Sequence, residues 1–194
     1  MSAILAAKRS AVVPRGGAFA ALSLQDMASP VIGVLLAAAG VEGGQVDELI
    51  CANALGAGGN PARVLALAAG LPERVAGLSV DRQCAGGLDA VLLARALVDS
   101  GAAEVVIAGD LAVVELMEAY AAQALACAEG AGLDRARINL SGGALARGHP
   151  IGASGAILAV RLFHQLAQGF GLAAIASAGG LGSALLVERA RARR

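Results

Sequence analysis

Apolar and polar positions along this chain alternate between two rhythms, a helical spacing of three to four residues and short continuous apolar runs. The helical spacing predicts helices over Leu24–Ala39, Pro61–Ala69, Leu88–Ser100 and Ser154–Gln168, and a mostly helical stretch over Val113–Glu129. In the third of these the periodic apolar positions are Leu88, Val91, Leu92 and Leu97. The short runs predict strands at Val46–Cys51, Ala76–Val80, Glu104–Ala108, Ile138–Leu140, Leu172–Ala176 and Ser183–Val187. Ala76–Val80 is short and apolar, as expected of a strand buried on both faces. Helices alternating with such strands imply an α/β protein with buried, mainly parallel sheets. Two stretches resemble each other. Gly86–Gly109 is a helix followed by Glu-Val-Val-Ile-Ala-Gly, and Ser154–Gly179 is a helix followed by Ala-Ala-Ile-Ala-Ser-Ala-Gly.

Composition narrows the function classes. At 194 residues the chain can bury a core as one domain or as two small halves. With 57% hydrophobic but only 2% aromatic residues, that core is built from Ala, Val, Leu and Ile, and few rings remain for stacking on bases. Fifteen basic and fifteen acidic residues cancel, so no basic field points to nucleic acid or an acidic membrane. The basic stretch Glu188–Arg194 is expected to be a solvated end. Apolar runs near Val31–Ala39 and Ile157–Phe163 are too short to span a bilayer, and no long apolar leader region follows Lys8 and Arg9. Three cysteines without paired spacing indicate neither disulfides nor a metal site. A cytoplasmic protein is expected.

Two short motifs carry candidate chemistry. In Ser141–Gly155, SGGALARGHPIGASG, one imidazole, His149, lies in a glycine-dense turn ahead of a helix. Pro150 holds His149 extended, and the glycines leave room for a ligand near the backbone. In Val75–Ala90, VAGLSVDRQCAGGLDA, Cys84 stands between a strand and a helix opened by Gly86 and Gly87. There the positive end of the helix dipole favours thiolate, the form that attacks a carbonyl carbon. Cys51, within Leu49–Ala54, and Cys127, in an alanine run, fit inert packing instead. His164, the other histidine, is expected on the surface.

RQCAGGLDAV and GGALARGHPIGASGA resemble the nucleophile and histidine motifs of the thiolase family. EVVIAG (Glu104–Gly109), GNPARVLALAAGLPE (Gly59–Glu73) and VELMEAYAAQALA (Val114–Ala126) extend the resemblance, which runs from Ala7 to Arg189. It implies a truncated, layered thiolase-like fold of two pseudo-equivalent halves, residues 1–109 with the nucleophile and 110–194 with the histidine motif. It further implies that Cys84 is acylated by a thioester, that His149 activates it, and that a homodimer or a heteromer with a thiolase homologue forms. Backbone N–H groups of Cys84 and of the Ala178–Gly179–Gly180 turn would receive the thioester oxygen.

Three departures from the family pattern change the expected chemistry. Ala176 stands where the family places a second, acid–base cysteine, and alanine moves no proton. Ser177 beside it would point to the opposite face of a strand. Met117 replaces the asparagine of the family's N-E-A-F segment, beside Glu118, so it cannot hold a water near the histidine. The large loop domain that carries most coenzyme A contacts is absent between Gly109 and Leu111–Glu115. The expectation is therefore an acyltransferase, transferring groups other than amino-acyl groups, that forms an acyl-Cys84 from acyl-CoA or an acyl-carrier thioester. No bound cofactor or metal is expected, and an acyl carrier protein is a candidate partner. The competing expectation is a non-catalytic, thiolase-like structural subunit.

Overall fold

The computed structural model describes residues 2–11, 17–54, 58–110, 120–130, 132, 134, 136, 138–139 and 142–189. Its first helix, α1 (Leu24–Ala39), coincides with the predicted one. Ser23 caps it through the Asp26 N–H at 3.1 Å, Asp26 returns the bond to Ser23 N at 2.9 Å, and Gly40 ends it at a φ of 66°. Strand β1 (Glu48–Ala52) follows, then α2 (Pro61–Ala68), opened by the Asn60 side chain and by proline in its first turn. After β2 (Ala76–Val80) a short 3-10 turn, Gln83–Ala85, leads into α3 (Gly86–Asp99), and β3 (Val106–Asp110) completes the first sheet. The three strands form a parallel sheet in the order β2-β1-β3, with Ile50 paired to Leu78 on one side and Ala108 on the other.

Beyond it come α4 (Ala121–Gly130), the four-residue α5 (Ala144–Arg147) and α6 (Ala153–Gln165). Strands β4 (Gly169–Ser177) and β5 (Leu181–Arg189) end the described chain. The last two pair antiparallel, because a turn as short as Ala178–Gly180 can only reverse direction; a parallel pair needs a crossover of a dozen residues. Parallel pairing is thus the property of the N-terminal sheet.

Four layers result. Helices α1 and α2 pack on one face of the three-stranded sheet through Ile32, Leu49, Cys51, Leu65, Ala66 and Ile107. Helix α3 covers the other face with Ala90 and Ala94 against Ile50. Helix α6 lies beside α3, and the β4–β5 hairpin closes over both, with Leu88, Ala159, Ala173, Ile175 and Leu185 at its centre.

Two expectations are corrected. Strand β2 is not buried on both faces: it is an edge strand, and Leu78 is 39% exposed. Its apolar composition reflects one packed face and one open edge. Ile138 and Asn139 form a bend rather than a strand, with Asn139 at a φ of 49°, outside the extended region; Leu140 lies outside the described residues.

Candidate functional site

Strand β2 ends at Val80, and the next five residues, 81–85, turn sharply to begin α3 at Gly86. Asp81 makes the turn by accepting the Gln83 N–H on Oδ1 at 3.0 Å. Gln83 takes a φ of 51°, a left-handed conformation that side-chain-bearing residues seldom adopt, immediately before Cys84. Gly86 lets the turn press on β1, since a Cβ there would lie 2.8 Å from the Ala52 methyl. Cys84 itself is 9% exposed and packs with Ala159, Ala173, Ile175 and Leu185. It thus sits at the N-terminal mouth of α3, where the dipole favours negative charge.

His149 is placed by a comparable device. Gly148 ends α5 at a φ of 91°, Gly152 takes a φ of 93°, and α6 starts at Ala153. The imidazole is buried, 5% exposed, and its Nδ1 lies 2.5 Å from Ser154 Oγ. Its Nε2 is buried and has no hydrogen-bond partner among the described residues. Burial pushes its pKa down to about 4, so the ring is neutral at physiological pH.

The two helix mouths meet. Gly87 N donates to Gly152 O at 3.0 Å. A Cβ on Gly87 would come within 2.7 Å of that carbonyl, and one on Gly155 within 2.6 Å of Leu88 N. Only glycine permits such backbone contact. The structure therefore brings the loops of Cys84 and His149, far apart in sequence, to one junction.

The hairpin fastens that junction. Ser177 Oγ donates to Arg82 O at 3.3 Å, Arg82 Nε pairs with Asp89 Oδ2 at 3.3 Å, and Ser183 Oγ bonds Asp89 Oδ1. The inward residues of β4 are Ala173, Ile175 and Ser177; Ala176 lies on the other face. Ser177, set aside on sequence grounds, is thus the residue turned toward the Cys84 loop. The Ala178–Gly179–Gly180 turn follows it directly, exposed, with Gly179 and Gly180 at φ of 81° and 74°. Met117 and Glu118 lie outside the described residues.

Sequence reading missed Ser154, Ser183 and the Arg82–Asp89 pair, and it set Ser177 aside. Ser154 alone left a signal: a hydroxyl in the first turn after the histidine loop. Of the other cysteines, Cys51 is buried as expected, while Cys127 is exposed on α4 and accepts from Gln123 Nε2 at 3.4 Å, so it is not a packing residue. His164 is exposed, with Nε2 3.0 Å from Ala7 O. A cavity of about 200 Å³ lies between α1, β1, β3 and α6 and borders the junction through Pro150, Ala153 and Ala156, but neither Cys84 nor His149 lines it. Among the described residues no cluster of three or more side chains could hold a metal ion, and no helix is long and apolar enough to cross a membrane.

Comparison with known proteins gives the same answer along most of the chain. Residues 2–134 match the N-terminal domain of thiolase and residues 94–189 the C-terminal domain. The acetyl-CoA acetyltransferase of Escherichia coli (strain K12) is 37% identical over 131 residues, 64% of this chain and 32% of that protein. The beta-ketoadipyl-CoA thiolase of Acinetobacter baylyi is 52% identical over 82 residues, 40% of this chain and 20% of that protein. The crystal structure of the Bacillus anthracis acetyl-CoA acetyltransferase superposes with a TM-score of 0.55 at 34% identity, covering 59% of this chain and 30% of that one. The matched region is thus about a third or less of each relative's length.

Proposed function

Because the chain belongs to the thiolase family, we propose that it is an acyltransferase whose Cys84 carries the acyl group, with His149 as the activating base. Cys84 Sγ attacks the carbonyl carbon of a thioester while its proton passes to His149 Nε2. The bond between that carbon and the donor sulfur then breaks, and the departing thiolate takes the proton back from Nε2. Backbone N–H groups of Cys84 and of the Ala178–Gly180 turn receive the negative oxygen. The acyl group on Cys84 then passes to an acceptor.

One observation carries this reading: a buried, neutral imidazole with an unpartnered Nε2 stands at a helix mouth joined by a backbone hydrogen bond to the mouth that holds Cys84. A buried polar atom without a partner is costly, and a reacting group is a reason to keep one. The donor is acyl-CoA or an acyl-carrier thioester, the latter delivered by an acyl carrier protein. Carbon–carbon bond formation is not part of the proposal, because Ala176 leaves no acid–base group at the second cysteine's position. The active form is a homodimer, or a heteromer with a thiolase homologue, located in the cytoplasm.

The test is intact-mass spectrometry after incubation with acetyl-CoA or acetylated pantetheine. The expected result is one added acetyl group on the native protein and none on Cys84→Ala. An unmodified protein with both donors, or an adduct that survives the substitution, rejects the reading. A second reading, a non-catalytic structural subunit, draws on Ala176 and on the burial of Cys84. It gains if no donor labels the thiol while the protein binds a full-length thiolase.

A further inference from the structure

The contact between Ser154 and His149 has no counterpart among the roles assigned so far. Ser154 lies in the first turn of α6, five residues after His149, and is itself buried. Its Oγ sits 2.5 Å from Nδ1, so one of the two atoms donates and the other accepts. A neutral imidazole carries one proton, and the nitrogen that holds it decides what the other nitrogen can do.

Two considerations fix the direction. First, Nε2 has no partner among the described residues. An orphaned buried N–H is rarer and more costly than an under-used lone pair, which puts the proton on Nδ1. Second, Ser154 can place its own hydroxyl proton elsewhere. Pro150 O, four residues back, accepts the Ser154 N–H at 3.0 Å and has a second lone pair, the usual target of a serine in a helix.

We infer that Ser154 is a positioning residue: its Oγ accepts the Nδ1–H of His149, fixes that tautomer, and leaves the Nε2 lone pair free to take a proton. The inference rests on the base role proposed for His149, and it adds the group that makes that role available. Without the hydroxyl, nothing described here distinguishes the two nitrogens, and the ring loses its anchor to α6. The serine touches no substrate and acts only through the imidazole.

The test is nitrogen-15 NMR of the intact protein labelled on its histidine rings. With exposed His164 as the second signal, two residues account for all resonances. The wild-type expectation for His149 is a protonated Nδ1 and an unprotonated Nε2. Ser154→Ala is expected to move both shifts toward a tautomer mixture, and Ser154→Thr to keep the wild-type pattern. Alkylation of Cys84 by iodoacetamide is expected to slow about tenfold in the alanine variant, a fraction of what a general base contributes, and to recover with threonine. A protonated Nε2 in the wild type overturns the inference, as do ring shifts unchanged by Ser154→Ala. Should the alanine variant fail to fold, the wild-type and threonine spectra still decide. The expected ring pattern without any acyl adduct on Cys84 upholds the role of Ser154 and rejects acyl transfer. An adduct together with a protonated Nε2 does the reverse.

Discussion

At the scale of single residues, His149 makes folding stability depend on pH. The unfolded chain protonates this imidazole from about the ordinary value of 6.5 downward, while the folded chain does so only near 4. Between those values the unfolded state binds more protons, so stability is complete above pH 6.5 and falls as pH drops toward 4, by up to about 3 kcal/mol. Urea unfolding at pH 7.5 and 4.5 is expected to show a larger loss for the wild type than for His149→Gln. Asp47 works in a lower window. The Glu104 and Val105 N–H groups hold its carboxylate below the usual 3.8, so its contribution fades only under more acidic conditions. The sequence displayed His149 and Cys84 through their glycines, because close backbone approach leaves a compositional trace. It showed Ser154 only as a hydroxyl in the first turn after the histidine loop and Ser177 only as a residue facing away from Ala176, and it gave no sign of Ser183. Their partners lie in other loops, and a lone serine looks the same in a helix cap, a strand or a surface turn.

Among the elements, the joint between α3 and α6 depends on glycines that face each other's backbone. A methyl on Gly155 would sit 2.6 Å from Leu88 N and 2.7 Å from its Cβ, and one on Gly77 would sit 2.5 Å from Arg63 N. Both Gly155→Ala and Gly77→Ala are expected to lower unfolding free energy by about 2 kcal/mol, as overpacking does. They differ in reach. Gly155→Ala parts the two mouths, so Cys84 alkylation and its response to His149 substitution are expected to change. Gly77→Ala strains α2 against β2 rather than the α3–α6 joint, and is expected to leave alkylation of the folded protein unaltered. If the two variants alkylate alike, the joint does not govern the site. Helices were legible because their apolar positions recur at helical spacing, as Leu88, Val91, Leu92 and Leu97 do in α3. Strand β2 was legible in place but not in burial, since a short, mostly apolar run suits an edge and a sheet centre equally. The bend at Ile138 and Asn139 escaped notice because an isolated apolar residue resembles a short strand.

Taken whole, the molecule leaves apolar surface without cover. On the outer face of the hairpin Phe170, Leu172 and Leu186 are 66%, 51% and 59% exposed, and Leu172 pairs directly with Leu186 across the strands. Strand β2 adds an open sheet edge. Contiguous surface of this kind favours association. Size-exclusion chromatography with light scattering is expected to give a mass above 18.9 kDa for the wild type and a smaller one for Leu172→Lys/Leu186→Lys. A monomeric wild type would contradict the proposed assembly. The pattern of helix and strand foretold the layers, but not which surfaces stay bare, since that depends on which elements are present to cover them. The hairpin that caps Cys84 has a consequence at the ribosome. Ser177 and Ser183 brace Arg82 and Asp89 from 95 and 94 positions further on, and Leu185 shares the buried cluster that holds Cys84. Synthesis proceeds from the N-terminus, so the first half emerges with its sulfhydryl uncovered. That group stays open until β4 and β5 have been made and have folded back onto it.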